Sequence, residues 1–255
     1  MQLNKIYNID VLEGLRYLPD ESIDLIITSP PYNKNGLNKA QKYTKNCKWL
    51  KSIDYGGDSE VDNLPEDVYQ DWQVEVLNEC YRVLKKEGSM FYNHKNRIRT
   101  GTGTIVSPYE WLYRCRFNIR QEIIWDRLST NNVDKSRYLP TTEKIFWLTK
   151  CKRPNFSREL DTRFKTEVWR FPFEKSTKHP APFPIDLPDN IISCIPNKED
   201  IVVLDPFMGS GTTALSAIKN GCKGYIGFEK FQEYIDLSYD RITELQGVGE
   251  ITLVL

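Results

Sequence analysis

Two short stretches carry residues whose types and spacing could do chemistry. In DLIITSPPYN, Asp24 to Asn33, three apolar residues (Leu25, Ile26, Ile27) run into Ser29, two prolines and Tyr32. The apolar run reads as a buried strand, and Pro30 and Pro31 end it because neither has an amide hydrogen to donate to a ladder. What remains is a stiff loop at a strand end that offers a hydroxyl (Ser29), carbonyls without competing N–H groups, and one aromatic face (Tyr32). A plain turn needs none of these groups.

The second stretch is LDPFMGSGTTALSAIKNGCKGYIGFE. A buried strand ends in Asp205, a loop carries Gly209 and Gly211, a helix begins at about Thr212, and the next strand ends in Glu229. Glycines let backbone approach a ligand closely, and an acid about twenty residues later sits at the neighbouring strand end, where it can accept from ribose hydroxyls. The pattern therefore reads as a nucleoside site. A phosphate-binding loop needs Lys after its last glycine, and Thr212 stands there instead. Asp205 at the entrance suits a cationic amine, such as that in the methionine part of S-adenosylmethionine, better than a phosphate. A tight strand-to-helix turn without a ligand is the structural alternative.

Both stretches need a sheet to hold them. KIYNI, VLEGLRYL and DLIIT read as strand, helix and strand. A helix is expected over 65–86, opened by Pro65 and acids, with Val68, Trp72, Val76, Cys80 and Leu84 at steps of four, and closed by Lys85, Lys86 and Gly88. SMFYNH follows as a strand, then a helix at about 107–116. FNIRQEIIW and EKIFWLT are strand-like with no helix between them, so an antiparallel pair is expected. Residues 150–184, rich in Pro, Phe and Arg, read as irregular. A helix near 185–195, the strand IVVLD, the helix TTALSAIKN, the strand GYIGFE and a helix from about Phe231 to Gln246 complete the chain. Strand and helix alternate at both ends, which gives an α/β fold with a parallel sheet covered on both faces, in one domain over 1–255.

Net charge is zero, with 35 basic and 35 acidic residues, but the charges are segregated. Lys34, Lys39, Lys42, Lys45, Lys48 and Lys51 crowd one segment without an acid, and Asp54 to Glu79 holds nine acids and no base. Residues 94–120 are basic again, with Lys95, Arg97, Arg99, Arg114, Arg116 and Arg120 against Glu110. Runs interleaved with Tyr43, Trp49, Tyr109 and Tyr113 fit one positive face that meets phosphates. No apolar run reaches the roughly 18 residues of a membrane span, and the first ten residues lack a secretory signal, so the cytoplasm is the expected compartment. Six widely spaced cysteines without a C-x-x-C pair read as reduced thiols, with no metal site.

With TSPPYN near one end and DPFMGSGTT near the other, the chain resembles the DNA amino-methyltransferases, specifically the permuted (beta) class in which the catalytic motif precedes the cofactor loop. CYRVLKKEGSMFYN and TKHPAPFP resemble further segments of that family, in the family's order. The resemblance implies a class I methyltransferase fold, a twisted seven-stranded sheet with one reversed strand. It implies S-adenosylmethionine as cofactor, held by Asp205, Phe207, Gly209, Gly211 and Thr212 at its methionine part, Glu229 at its ribose and Asp10 at its adenine. His179 and Phe183 would close the pocket from another side.

The resemblance also gives TSPPY a chemical role. An exocyclic amine is a poor nucleophile because its lone pair is delocalised into the ring. Acceptors at Ser29 and at the Pro30 carbonyl would aim that lone pair at the methyl donor, with Pro31 keeping the loop stiff and Tyr32 stacking on a base flipped out of double-stranded DNA. Ser29, where many adenine-modifying relatives carry Asp or Asn, resembles the form that acts on cytosine N4. Adenine N6 is the alternative base. RNA or protein methylation, or a silent nucleic-acid-binding module, are more distant alternatives. Recognition inserts are expected at about 33–64 and 150–178, and relatives commonly dimerise or accompany a restriction endonuclease.

Overall fold

The structure, a computed structural model, describes residues 1–33, 64–99, 102–130, 135–160, 165–174 and 183–251. In chain order the elements are β1 (Lys5–Asn8), α1 (Val11–Arg16), β2 (Ile23–Thr28), α2 (Glu66–Val83), β3 (Leu84–His94), β4 (Arg97–Ile98), β5 (Ile105–Val106), α3 (Tyr109–Leu112), β6 (Asn118–Asp126) and β7 (Thr142–Thr149). They continue as β8 (Val168–Arg170), α4 (Asp186–Ser193), β9 (Val202–Asp205), α5 (Thr212–Lys219), β10 (Gly224–Glu229) and α6 (Gln232–Ile251).

Eight strands form one sheet in the order β1-β10-β9-β2-β3-β7-β6-β8, and only β7 runs against its neighbours. The sequence-based expectation of seven strands with one reversed is thus extended by one, the three-residue edge strand β8, which pairs parallel with β6. β8 lies in the segment expected to be irregular. It joins the sheet because Trp169 and Phe171 bury their rings there, and Trp125 donates its indole N–H to the Phe171 carbonyl at 2.9 Å. The expected antiparallel pair is β6 with β7.

The central strands are continuous apolar runs because both of their faces are covered. Leu25, Ile26 and Ile27 of β2 and Val203 and Leu204 of β9 are buried, and the core divides into two clusters by face. Leu187 and Ile191 of α4, Leu215 of α5 and Ile235 of α6 pack on one cluster. Val11 and Leu15 of α1, Leu77 of α2 and Trp111 of α3 pack on the other.

Two details differ from the sequence reading. The buried stripe of α2 runs through Tyr69, Gln73, Val76, Cys80 and Val83, while Val68 is exposed. Steps of four advance about 40° each around a helix of 3.6 residues per turn, so a stripe at constant four-residue spacing leaves the core, whereas alternating steps of four and three stay on it. The helix also ends earlier, at Val83, because Leu84 is already extended and paired with Ile23 in the sheet. Gly88 then lets β3 close on β2, since a Cβ there would meet the Asp24 carbonyl oxygen at 2.7 Å. The helix expected at 107–116 is a single turn, Tyr109–Leu112.

Candidate active site

All strands but β7 end at one edge of the sheet, and that edge gathers both stretches singled out in the sequence. β2 and β9 are neighbours, so the loop after Thr28 and the loop after Asp205 meet although the chain separates them by 177 residues. Thr28 Oγ1 donates to Asp205 Oδ1 at 2.7 Å, one residue before Ser29.

Asp205 is fully buried. Its Oδ1 also accepts from the Phe207 backbone N–H at 3.0 Å, and its Oδ2 accepts from Thr213 Oγ1 at 2.7 Å. Burial pushes its carboxyl up to about 6, against the opposing pull of the Thr213, Thr28 and Phe207 donors. The side chain therefore fastens the two loops together from inside the protein.

The glycine loop is braced by α6. Gly209 and Gly211 have φ of 52° and 82°, and a Cβ on Gly211 would meet Ser238 Cβ at 2.8 Å. Ser238 Oγ donates to the Gly209 carbonyl at 2.9 Å, and Arg241 Nη1 donates to the Ser210 carbonyl at 2.7 Å and to Thr212 Oγ1 at 3.2 Å. Sequence reasoning missed Ser238 and Arg241. Their signal is a three-residue spacing that places both on one face of α6.

Glu229 ends β10 beside this loop. Its Oε2 accepts from the Gly209 N–H and its Oε1 from the Phe231 N–H, each at 2.9 Å. Burial raises its carboxyl above the ordinary value, and those N–H groups pull the other way. Each oxygen carries one protein donor in these contacts and retains acceptor capacity, so the carboxylate fits the two hydroxyls of a ribose. Asp10 sits at the end of the adjacent β1, where its side chain caps α1 by accepting from the Leu12 N–H at 2.9 Å. Phe207 packs edge-on against Trp72 of α2, with ring centroids 5.7 Å apart. Phe183 is half-buried against the core cluster shared by α4, α5 and α6. His179 lies outside the described residues.

The TSPPY loop is held by side chains from three elements. Ser29 Oγ lies 2.8 Å from Tyr32 Oη, and Tyr32 Oη donates to Glu143 Oε2 at 3.1 Å. Asn93 Nδ2, at the end of β3, reaches Ser29 Oγ at 3.4 Å, Tyr32 Oη at 3.0 Å and Glu143 Oε2 at 3.1 Å, while its Oδ1 is buried without a partner. Arg127 Nη1 pairs with Glu143 Oε1 at 3.2 Å. The Tyr32 ring is buried against the His94 ring, 4.4 Å between centroids. Glu143, Asn93 and Arg127 were not foreseen. The available signal for Glu143 was its two-residue register with the buried Ile145 and Trp147, an acid on the core face of a strand.

Behind the prolines, a network with one consistent set of donors fixes the backbone. Tyr69 Oη donates to the Pro31 carbonyl at 2.7 Å and accepts from Gln73 Nε2 at 2.8 Å. Tyr92 Oη donates to Gln73 Oε1 and accepts from the Trp111 indole. Tyr69 Oη, its one proton directed to Pro31, can only accept from His94 Nε2 at 2.9 Å, which leaves Nδ1 of a neutral ring as the acceptor for the Lys95 N–H at 2.8 Å. Burial and the nearby Arg97 charge hold His94 well below its ordinary pKa, consistent with a neutral ring. Pro31 is thus immobilised, whereas the Pro30 carbonyl accepts no hydrogen bond among the described residues.

Asn33 closes the loop. It exchanges hydrogen bonds with Leu64 in both directions, each at 3.0 Å, so the chain leaves and returns at one point beside Tyr32. Lys34 to Lys51 lie outside the described residues. The second basic run does not form one positive face. Arg97 is buried in a two-pronged pair with Glu66, Arg114 pairs with Asp71, and Arg116 and Arg120 lie over the Tyr81 and Trp147 rings. Topology separates them further, since Arg97 follows the carboxyl end of β3 and Arg120 lies near the amino end of β6. No helix among the described residues is long and apolar enough to cross a membrane.

Comparison with known proteins matches residues 23–240 to a family described as DNA methylase. The chain is 30% identical to the type II methyltransferase M.BglII of Bacillus subtilis, over 93% of this chain and 68% of that protein. It is 32% identical to the DNA adenine methyltransferase YhdJ of Escherichia coli K12, over 91% and 80% respectively. Among solved structures, PvuII DNA methyltransferase (cytosine-N4-specific) superposes with a TM-score of 0.75 at 23% identity, covering 96% of this chain and 92% of that one. TTHA0409 from Thermus thermophilus, complexed with S-adenosyl-L-methionine, superposes with a TM-score of 0.68 at 21% identity, covering 95% and 94%. With that match over most of its length, the chain belongs to the N6/N4 DNA methylase family, whose members are S-adenosylmethionine-dependent amino-methyltransferases.

Proposed function

We propose that the protein methylates the exocyclic N4 amine of a cytosine flipped out of double-stranded DNA. The observation that carries this reading is the position of Ser29, a neutral hydroxyl beside the loop junction made by Thr28 and Asp205. S-adenosylmethionine, when bound, supplies a methyl group on a cationic sulfur. Glu229 would hold its ribose, the Gly209–Thr212 loop its methionine part, and Asp10 and Phe207 flank the rest, while Asp205 keeps the loops in register. Ser29 and the open Pro30 carbonyl would accept the two hydrogens of the amine, orienting its lone pair. The Tyr32 ring, stiffened by His94, gives the base a stacking surface worth roughly 1–3 kcal/mol against a flipping cost of a few kcal/mol.

The segment between Asn33 and Leu64, rooted beside Tyr32, is our candidate for contacts with the recognition sequence, and its lysines for phosphate contacts. The segment at 150–178 is the second candidate, and within it Val168–Arg170 are taken up by the sheet as β8. Type II relatives such as M.BglII favour a cognate restriction endonuclease alongside this chain, in the cytoplasm. Adenine N6 is the second reading, favoured by the likeness to the adenine enzyme YhdJ. Mass spectrometry of nucleosides from DNA treated with the protein and cofactor separates them. N4-methylcytosine is expected; N6-methyladenine alone overturns the base, and 5-methylcytosine alone overturns the mechanism.

A further inference from the structure

Each hydrogen bond between Ser29, Tyr32 and Glu143 has a direction that chemistry fixes. A carboxylate only accepts, so Tyr32 Oη directs its single proton to Glu143 Oε2 at 3.1 Å. Tyr32 can then only accept from Ser29 Oγ at 2.8 Å, so the Ser29 proton points away from the base and its lone pairs are available. Asn93 enforces the same direction. Its Nδ2 faces Glu143 Oε2, which requires the amide nitrogen on that side, and so it is also a donor toward Tyr32 and Ser29. Arg127 anchors the other oxygen of Glu143.

From this geometry we infer that Ser29, Tyr32 and Glu143 form a proton relay, with Glu143 the terminal acceptor for the proton that the methylated amine must lose. The inference rests on the reading of Ser29 given above and adds Asn93 of β3, Glu143 of β7 and Arg127 just after β6. An amine that has gained a methyl carries one proton too many. Its N–H bond breaks, the electron pair returns to nitrogen, and the proton bonds to Ser29 Oγ. The former Ser29 proton passes to Tyr32 Oη, and the former Tyr32 proton to Glu143 Oε2. Both hydroxyls are restored, and Glu143 is left as a neutral acid that returns its proton to water. Before transfer, the same chain turns a Ser29 lone pair toward the amine. Glu143 is in these terms a positioning residue and proton sink, acting through Tyr32 rather than by touching the base.

The test uses the full chain with S-adenosylmethionine and double-stranded DNA, measuring single-turnover methyl transfer, KM for DNA and cofactor affinity. Tyr32→Phe keeps the ring and removes only the hydroxyl, and Glu143→Gln removes the proton acceptor. Each is expected to slow transfer by about 100-fold or more, with KM and cofactor affinity within about twofold of the original protein. The double variant is expected to be no slower than the slower single variant, because both break one chain. A normal rate in Tyr32→Phe overturns the relay, as do losses that multiply in the double variant. If Glu143→Gln fails to fold because Arg127 is left unpaired, Tyr32→Phe alone decides. Ser29→Ala separates this inference from the reading beneath it. Inactive Ser29→Ala with normal Tyr32→Phe and Glu143→Gln sinks the relay only, whereas active Ser29→Ala sinks the role of the loop itself.

Discussion

Asp205 offers the most quantitative check on how the two loops are joined. Its carboxyl moves from 3.8 to about 6 because burial disfavours the charge more than three donors favour it. The folded chain therefore binds that proton more tightly than the unfolded chain. The resulting stabilisation is fully present below the unfolded value of 3.8 and is lost as pH rises through about 6. A shift of roughly two units corresponds to about 3 kcal/mol in all, and about 2 kcal/mol of it disappears between about pH 4.5 and about pH 7. Asp205→Asn removes the titration but keeps the shape, since its Oδ1 can accept from Thr28 and Phe207, and the Thr213 hydroxyl can turn to accept from the amide. Urea unfolding of both proteins across that range gives the difference directly, and the other titrating groups, including Glu229, largely cancel. The stability of the original protein relative to Asp205→Asn should fall by about 2 kcal/mol over the window. A difference that stays constant within about 0.5 kcal/mol, or that changes with the opposite sign, would refute the claim that burial outweighs the donors.

Glu229→Gln should weaken S-adenosylmethionine binding about 10- to 100-fold by calorimetry, since hydrogen bonds to a charged group contribute about 1.5–3 kcal/mol; unchanged affinity would remove Glu229 from the ribose site. Gly211→Ala places a Cβ on a residue with φ of 82° and against Ser238 at 2.8 Å. It should cost at least about 1 kcal/mol of stability in thermal unfolding and lower cofactor affinity with it. Replacing Lys42, Lys45 and Lys48 together should weaken DNA binding equally at all sequences and flatten its salt dependence. Loss of site preference at normal salt dependence would instead assign base reading to that segment.

Local chemistry made much of this protein legible in its sequence. The apolar run before Pro30, the glycines at 209 and 211 and the acid at 229 fix a strand end, a close-approach loop and an acceptor within a few residues each. The missing helix between β6 and β7 announced their antiparallel pairing, because a short connection cannot carry a parallel crossover. Other properties belong to the assembled sheet. β8 looked irregular because three residues carry no period, and only pairing with β6 makes them a strand. Arg97 and Arg114 looked like free charge until Glu66 and Asp71 arrived from α2. Asp205 looked like an open carboxylate until Thr28, 177 residues away, closed over it. Glu143, 111 residues beyond Tyr32, joined the TSPPY loop because one reversed strand starts where its neighbours end. Hydrophobic period, proline and glycine act on neighbours in the chain, so sequence alone determined the two loops. Strand order and register act between segments far apart, so only the tertiary structure decided which carboxylates are buried, which cations are paired, and which acid receives the hydroxyl of Tyr32.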